Sequence, residues 1–86
     1  MEDAEKKLAL LIIDALNLRL KPDDIDPEEA LFNSGLGLDS IDALEIAVAI
    51  EIEYGVKIQA QNENNVKIMS SLRSLSRHIT KQIENA

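Results

Sequence analysis

The sequence predicts an all-α domain: a small bundle of three main helices with one or two short ones and a long first loop. Three features of the chain predict it. Apolar residues recur at spacings of three and four in three separate stretches, each the mark of a helix with a buried face. Proline, glycine and polar clusters punctuate the chain between those stretches. Only Val56-Lys57-Ile58 alternates like a strand, and an isolated strand has nothing to pair with. At 86 residues the chain is expected to form one domain, 1–86, whose helices bury one another's stripes because none is stable alone in water.

The first helix is expected over residues 3–18, with Ala4, Leu8, Leu11, Ile12, Ala15 and Leu16 on its buried face. Glu2, Asp3 and Glu5 sit at its start, where the helix dipole favours acids. Its end carries no glycine, and Lys21-Pro22 indicates that it is over by then. Residues 21–38 form the long loop, with Pro22, Pro27, Gly35 and Gly37. Asp26-Pro27-Glu28-Glu29 is a helix-start signal and predicts one short turn, with Leu31 and Phe32 pinning the loop to the core. The clearest helix covers 40–54 and is closed by Gly55. A polar loop, Gln59 to Asn65, follows, then one helical turn from Val66 to Met69. Ser71 caps a last helix carrying Leu72, Leu75, Ile79 and Ile83.

Composition excludes several function classes. Hydrophobic residues make up 45% of the chain and the only aromatics are Phe32 and Tyr54, so the core must be aliphatic. There is no cysteine, which excludes disulfides, thiolate zinc sites and a catalytic thiol, and fits the cytoplasm. Any thiol chemistry must come from an added group. The acidic start Met1-Glu2-Asp3-Ala4-Glu5 is unlike a secretory leader, and the longest apolar run, Leu8 to Ile13, is too short to span a membrane. The lone His78 has no second ligand near it in sequence, so no metal site is expected. No cluster of acid, base and nucleophile points to an enzyme.

Net charge is −7, unevenly spread. Asp23 to Glu53 holds ten acids and no Lys or Arg, whereas Gln59 to Ala86 holds two acids against Lys67, Arg73, Arg77 and Lys81. Such a field repels nucleic acid and attracts basic protein surfaces, beyond keeping a small domain soluble.

Ser40 stands where the glycine-bearing segment meets the strongest helix. Its ordinary role there is an N-cap, which either Asp39 or Ser40 can supply. The same position also suits a phosphate, since helix N–H groups and the dipole face it, and Gly35 and Gly37 leave the approach clear. No base lies within sequence reach of Ser40, so a second protein would have to modify it. Set on a wheel at about 100° per residue, the helix has two apolar stripes. Ala43, Ile46, Ala47, Ile50 and Tyr54 form a core stripe. Ile41, Leu44, Val48 and Ile52 form a second on the far side, edged by Asp42, Glu45 and Glu53 on one flank and Glu51 on the other. Unpaired buried carboxylates are very costly, so the second stripe is expected to be a docking surface.

The run Gly35-Leu36-Gly37-Leu38-Asp39-Ser40-Ile41-Asp42-Ala43-Leu44-Glu45-Ile46 resembles the acyl carrier protein family, with Ile41 in place of the usual Leu of its Asp-Ser-Leu motif. The continuation Ile50-Glu51-Ile52-Glu53-Tyr54-Gly55-Val56-Lys57-Ile58 resembles the family's acid-rich helix end. The resemblance implies that Ser40 receives 4′-phosphopantetheine from coenzyme A through a phosphopantetheinyl transferase. The terminal thiol of that arm then holds acyl groups as thioesters for fatty-acid, polyketide-like or specialised lipid synthesis. It further implies a four-helix bundle with a short third helix, in which Asp39, Ile41, Asp42, Leu44, Glu45 and Val48 meet partners, namely acyl-transferring and acyl-modifying enzymes with basic surfaces. The helix wheel adds Glu51 and Ile52 to that face, and the carrier is expected to be a monomer without catalysis of its own. Ile52 departs from the family, which usually has an acid there, as do the Asn/Gln-rich 59–65 loop and the basic last helix. An aminoacyl, D-alanyl or peptidyl carrier uses the same Ser and arm; an unmodified helical interaction domain would dock through the 41–48–52 stripe with no group on Ser40.

Overall fold

A computed structural model describes residues 2–32, 37–58 and 67–85. Within them the architecture is all-α: helix α1 spans Asp3–Leu16, α2 Ser40–Tyr54 and α3 Leu72–Glu84, with a 3₁₀ turn at Pro22–Asp24. Both α2 and α3 pack on α1. The core is aliphatic, as the composition requires: Leu8 and Ile12 of α1, Ile46 and Ile50 of α2, Leu72 and Leu75 of α3, and Leu31 from the loop are all almost fully buried. No helix among the described residues is long and apolar enough to cross a membrane.

The bounds of α2 and the start of α3 match expectation, and the reasons are local. Gly55 closes α2 in a left-handed conformation (φ 70°), its amide donating to the Glu51 carbonyl at 2.9 Å. Ser71 caps α3 by accepting the Ser74 amide on Oγ at 3.1 Å. The end of α1 was hidden in sequence because Asn17, not glycine, adopts the left-handed turn (φ 56°). Asn visits that region more readily than most residues. There the Leu18 amide reaches the Ile13 carbonyl and the Asn17 amide that of Asp14, so a Schellman closure ends the helix at Leu16.

The long first loop is held down at several points. Lys21 and Asp24 close the Pro22–Asp24 turn, which the sequence reading missed. The turn expected at Asp26 is present as a single one: Asp26 accepts the Glu28 amide on Oδ1 and the Glu29 amide on its carbonyl. Leu31 is buried and Phe32 half-buried, as expected. The Leu31 amide donates to the Ser70 carbonyl at 3.0 Å, and Phe32 pairs with Leu38 in a bridge that brings the later part of the loop back beside its last residue. Val56 and Ile58 point into the core from extended backbone with Lys57 outside, and no described residue pairs with them as a strand. Residues 67–70 make one helical turn before α3, where a turn was expected from Val66 to Met69. Val66, Gly35 and the Gln59–Asn65 loop lie outside the described residues.

Two faces differ from expectation. The buried side of α1 runs through Glu5, Leu8, Ala9 and Ile12, while Ala4 and Ala15 are exposed. Ile83, expected in the core, is 49% exposed, because α3 runs one turn beyond the packing. The buried side of α1 also includes a charged residue. Glu5, only 1% exposed, accepts the Glu2 amide on Oε1 at 3.0 Å and the Arg73 Nε–H on Oε2 at 2.9 Å. Arg73 also donates from Nη1 to Glu28 at 2.8 Å, and its amide donates to the Pro27 carbonyl at 2.9 Å. One residue of α3 thus fastens the start of α1 and the middle of the loop.

The Arg73 hydrogen bond holds the Glu5 carboxyl below its ordinary value of 4.5, against the opposing push of burial. A carboxyl lowered in the folded state contributes stability above its ordinary value and loses it as pH falls through the lowered one. Arg73→Met, which keeps the stem and removes the fork, should lower the thermal midpoint at neutral pH. The deficit relative to the parent should shrink as pH falls below 4.5. Glu28→Gln, at a mostly exposed position, should move the midpoint little. Melts followed by circular dichroism across that range check both; equal midpoints for Arg73→Met and parent at neutral pH would show the tie to be incidental.

Candidate functional site

The approach to Ser40 is built from a positive-φ glycine and a buried leucine. Gly37 stands at φ 74°, a conformation that costs a side-chain-bearing residue dearly. It turns the chain so that Leu38 enters the core and its amide meets the Leu31 carbonyl at 3.4 Å. With Leu38 anchored, the next residue begins α2 at a fixed point on the surface.

Asp39, not Ser40, is the cap. Its Oδ1 accepts the amides of Ile41 at 3.0 Å and Asp42 at 2.9 Å, while Asp42 Oδ2 accepts the Asp39 amide at 3.0 Å. This reciprocal box satisfies the helix end from both sides. The Asp-x-x-Asp spacing was the sequence signal for it. Ser40 is the first helical residue, exposed, with no described residue bonded to its hydroxyl. The box also commits several of the amides at this helix start. Of the first amides of α2, those of Ile41 and Asp42 are taken by the Asp39 side chain, and that of Ala43 by the Asp39 carbonyl at 3.0 Å.

Both apolar stripes of α2 are present. Ile46, Ala47 and Ile50 are buried, with Ala43 and Tyr54 half-buried beside them. On the opposite side Ile41 is 67% exposed, Leu44 53%, Val48 49% and Ile52 79%. Glu45, Glu51 and Glu53 are exposed around that stripe and Asp42 is half-buried at its start. The structure thus brings the sequence-selected residues Asp39, Ser40, Ile41, Asp42, Leu44, Glu45, Val48, Glu51 and Ile52 onto one end and one outer face of a single helix. Ala15 of α1 was assigned to the core and lies instead beside this face. Its exposure follows from the rotation of α1 that buries Glu5, so no local pattern in the sequence reveals it.

The family model described as a phosphopantetheine attachment site matches residues 6–79. A mitochondrial acyl carrier protein of Schizosaccharomyces pombe is 32% identical over 82 residues, covering 95% of this chain and 69% of that protein. The acyl carrier protein of Porphyromonas gingivalis is 31% identical over 67 residues, covering 78% of this chain and 82% of that protein. An attachment domain of this kind implies a phosphopantetheinyl transferase that loads it and enzymes that handle its acyl groups. A match across most of the chain, on an all-α frame, places the chain in the acyl carrier protein family, whose prosthetic group is covalent 4′-phosphopantetheine.

Proposed function

We propose that this chain is a single-domain carrier, residues 1–86, that holds acyl intermediates on an arm attached to Ser40 and performs no catalysis of its own. The observation that carries the reading is the exposed Ser40 hydroxyl, first in α2 and relieved of capping by Asp39. 4′-Phosphopantetheine supplies the terminal thiol that bears acyl groups as thioesters. This chain's residues hold the attachment oxygen at a rigid helix start and leave it open to a transferase. The match to proteins named acyl carrier proteins supports acyl rather than aminoacyl cargo. The pathways proposed are fatty-acid, polyketide-like or specialised lipid synthesis. The compartment proposed is the cytoplasm, in keeping with a thiol-free sequence.

The partner face proposed is the outer side of α2. Asp39, Asp42, Glu45 and Glu51 supply the field and Ile41, Leu44, Val48 and Ile52 the packing. Long-range attraction from this acid-rich segment speeds encounter with basic enzyme surfaces and fades with salt. Burial of the exposed aliphatics then slows departure. A monomer leaves that face open to successive partners.

Incubation with coenzyme A and a broad-specificity phosphopantetheinyl transferase should add one phosphopantetheine unit to the parent by mass and none to Ser40→Ala. Modification of the Ala variant would place the arm elsewhere. Asp39→Ala should cost about 1 kcal/mol of stability through loss of the cap, and transfer to Ser40 should slow because the helix start frays. Denaturant titration and a timed mass assay check the two effects; unchanged stability would mean that Asp42 and solvent suffice to hold the helix end.

A further inference from the structure

An open groove of about 410 Å³ runs along the outer seam between α1 and α2, lined by Ala15 of α1 and Leu44, Glu45, Val48, Ala49 and Ile52 of α2. The two alanines leave a recess beside the aliphatic ridge of Leu44, Val48 and Ile52. A second groove of about 360 Å³ begins at the next residues of both helices, Asp14 and Glu53, and continues to Lys7 and Tyr54. Exposed apolar surface therefore extends off α2 and onto α1, where Leu10 is 50% exposed.

We infer that this seam is a socket for an apolar side chain projecting from a basic surface of an acyl-handling enzyme, so that the interface spans α1 as well as α2. The inference rests on the carrier reading for the kind of partner. Charge selects the occupant. Glu45 lines the socket, Asp14 and Glu53 line the groove that continues it, and no Lys or Arg occurs between Asp23 and Glu53. Covering the socket brings those carboxylates out of water, which is favourable only where cations meet them. A second copy docked by the same face would set these acids against their own counterparts. Shape selects the rest: Ile52, the most exposed large aliphatic among the described residues, forms one wall of a recess with small residues in it. A flat cationic patch would leave that recess empty.

The test uses two synthetic helical peptides rich in arginine, identical except for Leu or Ser at the central position, titrated into the ¹⁵N-labelled unmodified protein. The Leu peptide should bind about tenfold more tightly, equivalent to about 1.4 kcal/mol, with amide shifts centred on Ala15, Ala49 and Ile52. Ile52→Glu adds an acid, so charge alone would strengthen binding of both peptides; the socket predicts instead that the preference for Leu disappears. Ala15→Gln, which fills the recess from the α1 side, should also remove it without touching α2. Both positions are exposed, and circular dichroism confirms that the variants fold. Equal binding of the two peptides by the parent, or shifts confined to α3, overturns the inference. So does a dimer in sedimentation equilibrium that Ile52→Glu dissolves, or an octanoyl-loaded form whose own chain shifts the same amides without peptide. Failure of Ser40 modification with the Leu preference intact would remove the carrier reading and leave the socket standing.

Discussion

The hydrogen bond from Arg73 to the buried Glu5 is the contact on which the rest of this arrangement depends. Apolar burial drives the collapse, but an aliphatic core of Leu, Ile, Val and Ala is tolerant of how its pieces are turned. A buried carboxylate is not tolerant, because it needs a partner in one place. Glu5 finds one on α3, 68 positions away, and accepts a second hydrogen bond from its own helix start. That pairing fixes the start of α1 against α3, on the same side as the buried Leu8, Ala9 and Ile12. Since α2 and α3 both pack on α1, its rotation decides which surfaces of the bundle face water. Arg73 also reaches Glu28 and Pro27, so the long loop that delivers the chain to Ser40 is referenced to the same point.

The outer surface of α2 follows from that frame. A helix with two aliphatic stripes could be buried all round or could face a partner. Here only one side finds α1, and the other keeps Ile41, Leu44, Val48 and Ile52 in water with carboxylates around them. Exposed aliphatics that close together carry a standing solvation cost, which the domain tolerates because its inner stripe is almost completely covered. The exposure of Ala15 beside them shows that the open face is a property of the helix pair, not of α2 alone.

How far the sequence revealed this depended on how local each determinant was. The start and stop of α2 were legible because Asp39, Asp42 and Gly55 act within a few residues of themselves. Ser71 and the Asp26 turn were legible for the same reason. The two stripes of α2 were legible because helical geometry alone separates them. The buried side of α1 was not, since Glu5 reads as a dipole-favoured surface acid until Arg73 is seen against it. The end of α1 at Leu16 was not, because Asn17 gives a weaker signal than glycine for a left-handed turn. The cap at the start of α2 was half legible: the sequence offered Asp39 or Ser40 for it, and the geometry assigns it to Asp39.

Because Asp39 carries the cap, the start of α2 does not call on the Ser40 side chain among the described residues. The helix start rests on Asp39 and Asp42, and the aliphatic ridge on the packing of the inner stripe, not on the side chain at position 40. On the carrier reading proposed above, an unloaded copy would keep the face proposed for partners, so unloaded and loaded copies would compete for the same enzymes.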